Sequence, residues 1–226
     1  MKQPIFLLAT IAALGVVSGD RDQSNGAESA QISPATNFFV TSTGRKTANL
    51  GGLRGADKIC QDLASAAGLG TKTWHAYLSV EKDPDNGNKP TDARSRVGTG
   101  PWTNSKGVVV AKTLDELHAR KGDAEVFLDE RGQPVPGNWP NSPKPTVHDI
   151  LTGSTADGRV MAGKTCNDWT SAAADQQAQV GHSDGLGPGG DPSGHYAIWN
   201  SSHENGSCAD TAPRGGGGRL YCFAAK

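Results

Sequence analysis

The first apolar stretch of the chain is Ile5 to Val17 (IFLLATIAALGVV), with Lys2 ahead of it and the small residues Ser18 and Gly19 behind. A positive start, about a dozen apolar residues and a small-residue exit describe a secretory signal peptide. The run is shorter than the roughly 20 apolar residues that span a bilayer, so membrane insertion is not expected. Residues 1–19 are read as signal peptide. Residues 20–36 (DRDQSNGAESAQISPAT), without aromatics or apolar periodicity, read as a flexible tether. Residues 37–226 amount to one domain. No cysteine lies near the cleavage region, so a released chain is expected, secreted or periplasmic.

Within the domain, "NFFVTST" (37–43) has the apolar, β-branched character of a strand. Over 52–69, Ala56, Cys60, Leu63 and Ala67 recur on one helical face, and Gly68-Leu69 has the form of a glycine cap with its hydrophobic contact. "TWHAYLSV" (73–80) alternates Trp74, Ala76, Leu78 and Val80 and predicts a strand. Residues 81–107 read as loop. Thr113 with Glu116 three residues on forms a capping box, predicting a short helix with Leu114 and Leu117 inward. "AEVFLDERGQPV" (124–135) predicts a hairpin around Asp129–Gly132, and "VHDILTGSTADGRV" (147–160) a strand–turn–strand. Between Cys166 and Cys208 only "HYAIWN" (195–200) has a regular, strand-like pattern. "GRLYCFAA" (218–225) reads as a terminal strand delivered by a glycine turn.

Composition adds constraints rather than elements. Thirty Gly, 13 Pro and 35% hydrophobic residues fit a turn-rich globular domain. With 22 basic against 23 acidic residues, there is no electrostatic footprint for nucleic acid or an anionic membrane. Four cysteines in an exported chain suggest two disulfides, in any of three pairings. No two are closer than Cys208 and Cys222, which argues against a C-x-x-C metal knuckle.

"GLRGADKICQDLASAAGL" followed by "TWHAYLS" resembles the opening of endostatin, the C-terminal fragment of a vertebrate collagen. "VVVAKTLDELH", "VFLDERGQPV", the Trp139-Pro140 step, "VHDILTGSTADGR" and "TCNDWTS" look like later endostatin segments in the same order. The likeness covers most of residues 37–226 and extends to exported bacterial proteins commonly labelled lectins. It implies an α+β, C-type-lectin-like (endostatin-like) fold with a long irregular loop. It also implies two nested disulfides, Cys60–Cys222 and Cys166–Cys208.

Function must come from the long loop, because a fold of this kind does not specify a ligand. Residues 181–205 carry the candidate ligand-binding residues Asp184, Asp191, His195, Trp199, Asn200, His203, Glu204 and Asn205. Oxygen donors beside a tryptophan suit calcium-mediated sugar binding. True C-type lectins, however, carry Glu-Pro-Asn or Gln-Pro-Asp and then Trp-Asn-Asp. Here Ser201 follows Trp199-Asn200, and the triplet is missing. The calcium signature is therefore incomplete, and no cofactor is expected. Endostatin's N-terminal zinc histidines have no counterpart, since no histidine precedes His75. The six histidines show no metal-like spacing, and His182 and His195 read as loop residues. Arg94 and Arg96 are the only close arginine pair after the tether, too few for a heparin surface.

"GHSDG" (181–185) matches the G-x-S-x-G nucleophile elbow, but that turn needs a helix after the serine. "LGPGGDPSG" (186–194) cannot supply one, so no enzyme is expected. The expectation is an exported, non-catalytic binding module that recognises glycan through loop 181–205. The alternative partner is an extracellular protein bound without sugar or calcium.

Overall fold

The structure is a computed structural model and describes Met1, residues 31–187 and residues 194–225. The expected signal peptide beyond Met1, the expected tether up to residue 30 and Asp191 lie outside the described residues. Among the described residues, ten strands and two right-handed α-helices follow in chain order, besides a single turn of positive-φ residues at Cys166–Trp169. They are β1 (Phe38–Val40), α1 (Gly52–Ala66), β2 (Trp74–Ala76), β3 (Val80–Asp83), β4 (Lys89–Thr91), β5 (Trp102–Thr103) and β6 (Val109–Ala111). Then come α2 (Leu114–Ala119), β7 (Asp149–Leu151), β8 (Gln179–His182), β9 (His203–Glu204) and β10 (Gly216–Ala224). The architecture is mixed α/β, mostly sheet, and no helix among the described residues is long and apolar enough to cross a membrane.

The main sheet has the order β1-β10-β7-β8-β9, with β2 also on β10. β10 runs antiparallel to β1 and β2 and parallel to β7. Its side chains alternate between two cores. Leu220, Cys222 and Ala224 join Phe39, Trp74 and Trp169 on the side covered by α1. Tyr221 and Phe223 join Phe38, Tyr77, Trp102, Phe127 and Trp199 on the other. Period-two alternation in a strand covered on both faces explains why Tyr77 and Ser79 are as buried as Trp74, Ala76 and Leu78.

The sequence pattern of α1 holds. Ala56, Cys60 and Ala64 are buried, with Leu63 and Ala67 packed at the margin. Its end is the glycine-capped turn expected: Leu69 N–H donates to Ala64 O at 2.8 Å and Gly68 N–H to Ser65 O at 3.1 Å. α2 starts at Thr113, whose hydroxyl accepts from Glu116 N–H at 3.2 Å.

Both disulfides have the nested pairing, Cys60–Cys222 and Cys166–Cys208. They close loops of 162 and 42 residues. On a chain-entropy model these stabilise by about 5 and 4 kcal/mol. Two such bonds belong to an oxidising, extracytoplasmic environment.

Four local expectations are corrected. The 81–107 stretch contains the β3–β4 hairpin, whose turn at Pro84–Asn86 is held by Asp83 accepting from Asp85 N–H. The Cys166–Cys208 segment supplies two sheet strands, β8 and β9. "HYAIWN" is a short 3-10 turn at His195–Ala197 rather than a strand. Three of the four glycines lie inside β10 instead of forming a turn before it. Gly218, at φ 63°, is required there, because a Cβ would sit 2.0 Å from Arg45 O. The folded body also begins ahead of residue 37. Thr36 is fully buried, and Ser33 N–H bonds Ser105 O at 3.0 Å.

Asp57 ties α1 to the sheet. Its carboxylate accepts from Ala76 N–H at 2.9 Å and from Arg96 at 2.7 and 2.9 Å, and lies 3.0 Å from His75 Nδ1. Burial pushes its pKa up, but His75, the Arg96 charge and the backbone bond outweigh this and hold it below the usual carboxylate range. A depressed folded pKa gives stability that is present above the unfolded value of about 4 and lost as pH falls through the folded one. Asp57→Asn should therefore lower the melting temperature at pH 7 and flatten its decline below about pH 4. Melting curves across that range test this; an unchanged acid slope would contradict it.

Candidate functional site

The residues singled out in loop 181–205 divide by burial. Trp199 is fully buried between Tyr77, Phe127 and Tyr221, and its indole N–H donates to Leu117 O at 2.8 Å. Its ring is core and presents no face to a ligand. Asn200 is equally buried and donates to Tyr77 Oη, Thr155 O and Ala156 O at 2.9–3.2 Å. Asn205 clasps its own segment through Ala178 N–H and Ser207 O. Asp184 is 5% exposed and accepts from Asn138 and Leu186 N–H at 2.7 and 3.0 Å. His195 is exposed. His203 and Glu204 form the edge strand β9 and are partly exposed, Glu204 pairing with Lys164 at 3.2 Å. The fold thus turns four of these positions, Asp184, Trp199, Asn200 and Asn205, into structure and leaves three at the surface or edge: His195, His203 and Glu204.

Behind that edge the sheet brings together residues far apart in the chain. Antiparallel pairing of β7 with β8 sets Asp149 opposite His182, and β9 carries His203 alongside. Asp149 is 1% exposed and lies in the middle of the cluster. His182 Nε2 is 3.2 Å and His148 Nε2 3.4 Å from its Oδ1, and His203 Nε2 is 3.5 Å from its Oδ2. His182 Nε2 and His203 Nε2 are 2.9 Å apart. Neither Asp149 oxygen has a hydrogen-bond donor among the described residues, and His182 Nδ1 is also unpartnered. A buried carboxylate without donors is costly unless a cation compensates it.

Two of the imidazoles are oriented from behind. His148 Nδ1 lies 2.7 Å from Asp184 Oδ1, and His203 Nδ1 2.9 Å from Glu204 O. Burial raises the Asp184 pKa, but the His148 hydrogen bond and charge and the two N–H donors bring it below the usual range. An ionised carboxylate and a carbonyl are pure acceptors, so Nδ1 of each ring carries the hydrogen and donates. Nε2 is then the face each ring turns to Asp149. Such an array can hold cations: protons on the rings, or a metal ion.

The surface around this cluster contains an aromatic that the loop reading did not include. Of five tryptophans, Trp74, Trp102, Trp169 and Trp199 are at most 1% exposed, while Trp139 stays partly exposed. Trp139 donates inward to Val135 O at 2.9 Å and neighbours Gly137, whose Cβ position lies against Asp184. Leu186, 39% exposed, follows Asp184, and Tyr196 stacks on His182 at 5.5 Å. A separate cleft of about 410 Å³ opens between the start of α1 and the β3–β4 hairpin. Its arginine, Arg54, is already paired with Asp85, and none of the histidines lines it.

A scan against models of known protein families finds no match, and no curated protein matches significantly. The site must therefore be read from its own geometry. His148, Asp149 and Trp139 were missed because no local motif marks them, and His182 because its partners lie 33 or more residues away in the chain in one direction and 21 in the other. The signal that existed was a His-Asp pair opening an apolar run, which puts a carboxylate in a strand covered on both faces.

If Asn200 is structural, Asn200→Ala leaves Tyr77 Oη and two carbonyls without their donor. The expected cost is about 1–3 kcal/mol in chemical denaturation. An unchanged midpoint would return Asn200 to the list of ligand contacts.

Proposed function

We propose that this protein is an exported, non-catalytic binding module with a C-type-lectin-like, endostatin-like fold, and that it recognises glycan. The recognition face runs from Trp139 and Leu186 to the edge residues His195, His203 and Glu204. The observation that carries the reading is the partial exposure of Trp139, the only indole left at the surface while the other four are core. An exposed indole with its N–H satisfied inward offers an apolar ring face on which a sugar ring can stack, and flanking polar groups fix orientation. The segment beside it is closed at its base by Cys166–Cys208, which lowers the ordering cost of binding. The nested disulfides and the central position of the last strand support the lectin-like fold.

Calcium is not part of this reading. Both Asp184 oxygens and the Asn205 side-chain oxygen accept hydrogen bonds within the fold, and Asn200 is fully buried. Binding to immobilised glycans, with and without chelator, compares the wild-type chain with Trp139→Ala. Retention should be insensitive to calcium and fall roughly tenfold in the variant, equivalent to about 1.4 kcal/mol, with the melting temperature unchanged. No retention on any glycan, or full retention by Trp139→Ala, would overturn the reading and leave the extracellular-protein partner.

A further inference from the structure

We propose that Asp149, His182 and His203, with His148 completing the set, form a zinc site buried beneath the β9 edge. The electrostatic need comes first. Asp149 has no exposed side-chain surface, and neither oxygen has a hydrogen-bond donor among the described residues. With the Nδ1 hydrogens of His148 and His203 committed to Asp184 and to the Glu204 carbonyl, their Nε2 atoms meet the carboxylate either bare or protonated. Bare nitrogens facing an anion repel it, and the 2.9 Å contact between His182 Nε2 and His203 Nε2 needs either a hydrogen or a metal ion between the two atoms. A single proton on one ring can serve only some of these contacts, whereas one divalent ion on neutral imidazoles can be shared by all of them.

The spacing agrees with a single ion. Zinc bonds to nitrogen and oxygen at about 2.0–2.1 Å, so the ligand atoms of a tetrahedral site stand about 3.3 Å apart. His182 Nε2 and His148 Nε2 stand 3.2 and 3.4 Å from Asp149 Oδ1 in one compact group, and His203 Nε2 stands 2.9 Å from His182 Nε2 and 3.5 Å from the other Asp149 oxygen. His182 and His203 are also well disposed, their rings crossing at 77° with centroids 5.0 Å apart. His148 is the member that must move. Its ring stacks on His182 at 4.3 Å and 18°, and two parallel rings cannot aim both lone pairs at one point. Gly215 leaves the room for a tilt, because a Cβ there would lie 3.1 Å from His148 Nε2 and 3.5 Å from Asp149 Oδ1.

The donor type selects the metal, since three imidazoles and one carboxylate in a compact set suit zinc rather than calcium. The acceptors behind His148 and His203 are the carboxylate and carbonyl supports that metal-bound histidines use to fix their tautomer. Four protein donors fill a tetrahedral ion, so the site is a fastener and leaves no position for a reacting water. It joins β7, the end of β8 and the edge strand β9, and so ties His182 and His203 to the start of β7.

The test uses the full exported chain, stripped with chelator and titrated with Zn²⁺ by calorimetry and with Co²⁺ by visible absorption. One equivalent of Zn²⁺ should bind, raise the melting temperature and displace Co²⁺ from a tetrahedral spectrum. Asp149→Asn, nearly the same shape, and His203→Ala, on a partly exposed edge, should abolish binding. His148→Ala should weaken it less. Asp184→Asn should weaken it by roughly 10–100-fold through the lost support of His148. His195→Ala, outside the cluster, should bind as wild type does. A folded wild-type chain that takes up neither ion saturably would overturn the proposal. So would undiminished affinity in folded Asp149→Asn and His203→Ala. Zinc binding does not require glycan binding, so either result can fail without the other.

Discussion

The pairing of β10 on both of its edges is the constraint on which the rest depends. This strand bonds β1 and β2 along residues 221–224 and β7 along residues 216–220. It supplies side chains to both cores and, through Cys222, a covalent link to α1. The main sheet therefore closes only once the last strand is in place. Its glycines serve this role, since strand neighbours and crossing backbone leave no space for side chains over residues 216–218.

Placing β7 beside β10 has an electrostatic consequence. Asp149 begins β7, pairs with Gly216 and His182, and is enclosed on all sides. A carboxylate in that position is destabilising on its own, yet three imidazoles converge on it, two of them braced by Asp184 and Glu204 O. Aromatic packing on the neighbouring face is satisfied by Tyr77, Trp199 and Tyr221, whose hydroxyl donates to Trp199 O at 2.6 Å. One end of the sheet is thus close-packed and neutral, and the other carries a polar cluster in need of a cation.

Local features were legible in the sequence. The α1 face, the Gly68 cap and the Thr113 cap depend on residues within one or two turns, and each was readable from spacing. The nested disulfides followed from resemblance rather than from spacing. What escaped was long-range. "QVGH" and "HE" are too short and too polar to announce strands, and they become β8 and β9 only by pairing, β8 with β7 and β9 with β8. For the same reason His182 and His203 read as scattered histidines. Trp199 read as a candidate contact, because a tryptophan in an irregular segment has no periodicity to show which way it points.

The most direct measurement is anomalous diffraction at the zinc absorption edge from crystals of the protein grown with Zn²⁺. The account predicts one strong peak about 2.0–2.1 Å from an Asp149 oxygen and from Nε2 of His182 and His203, with His148 turned toward it. Absence of that peak, with the Asp149 oxygens hydrogen-bonded to the imidazoles instead, would contradict it.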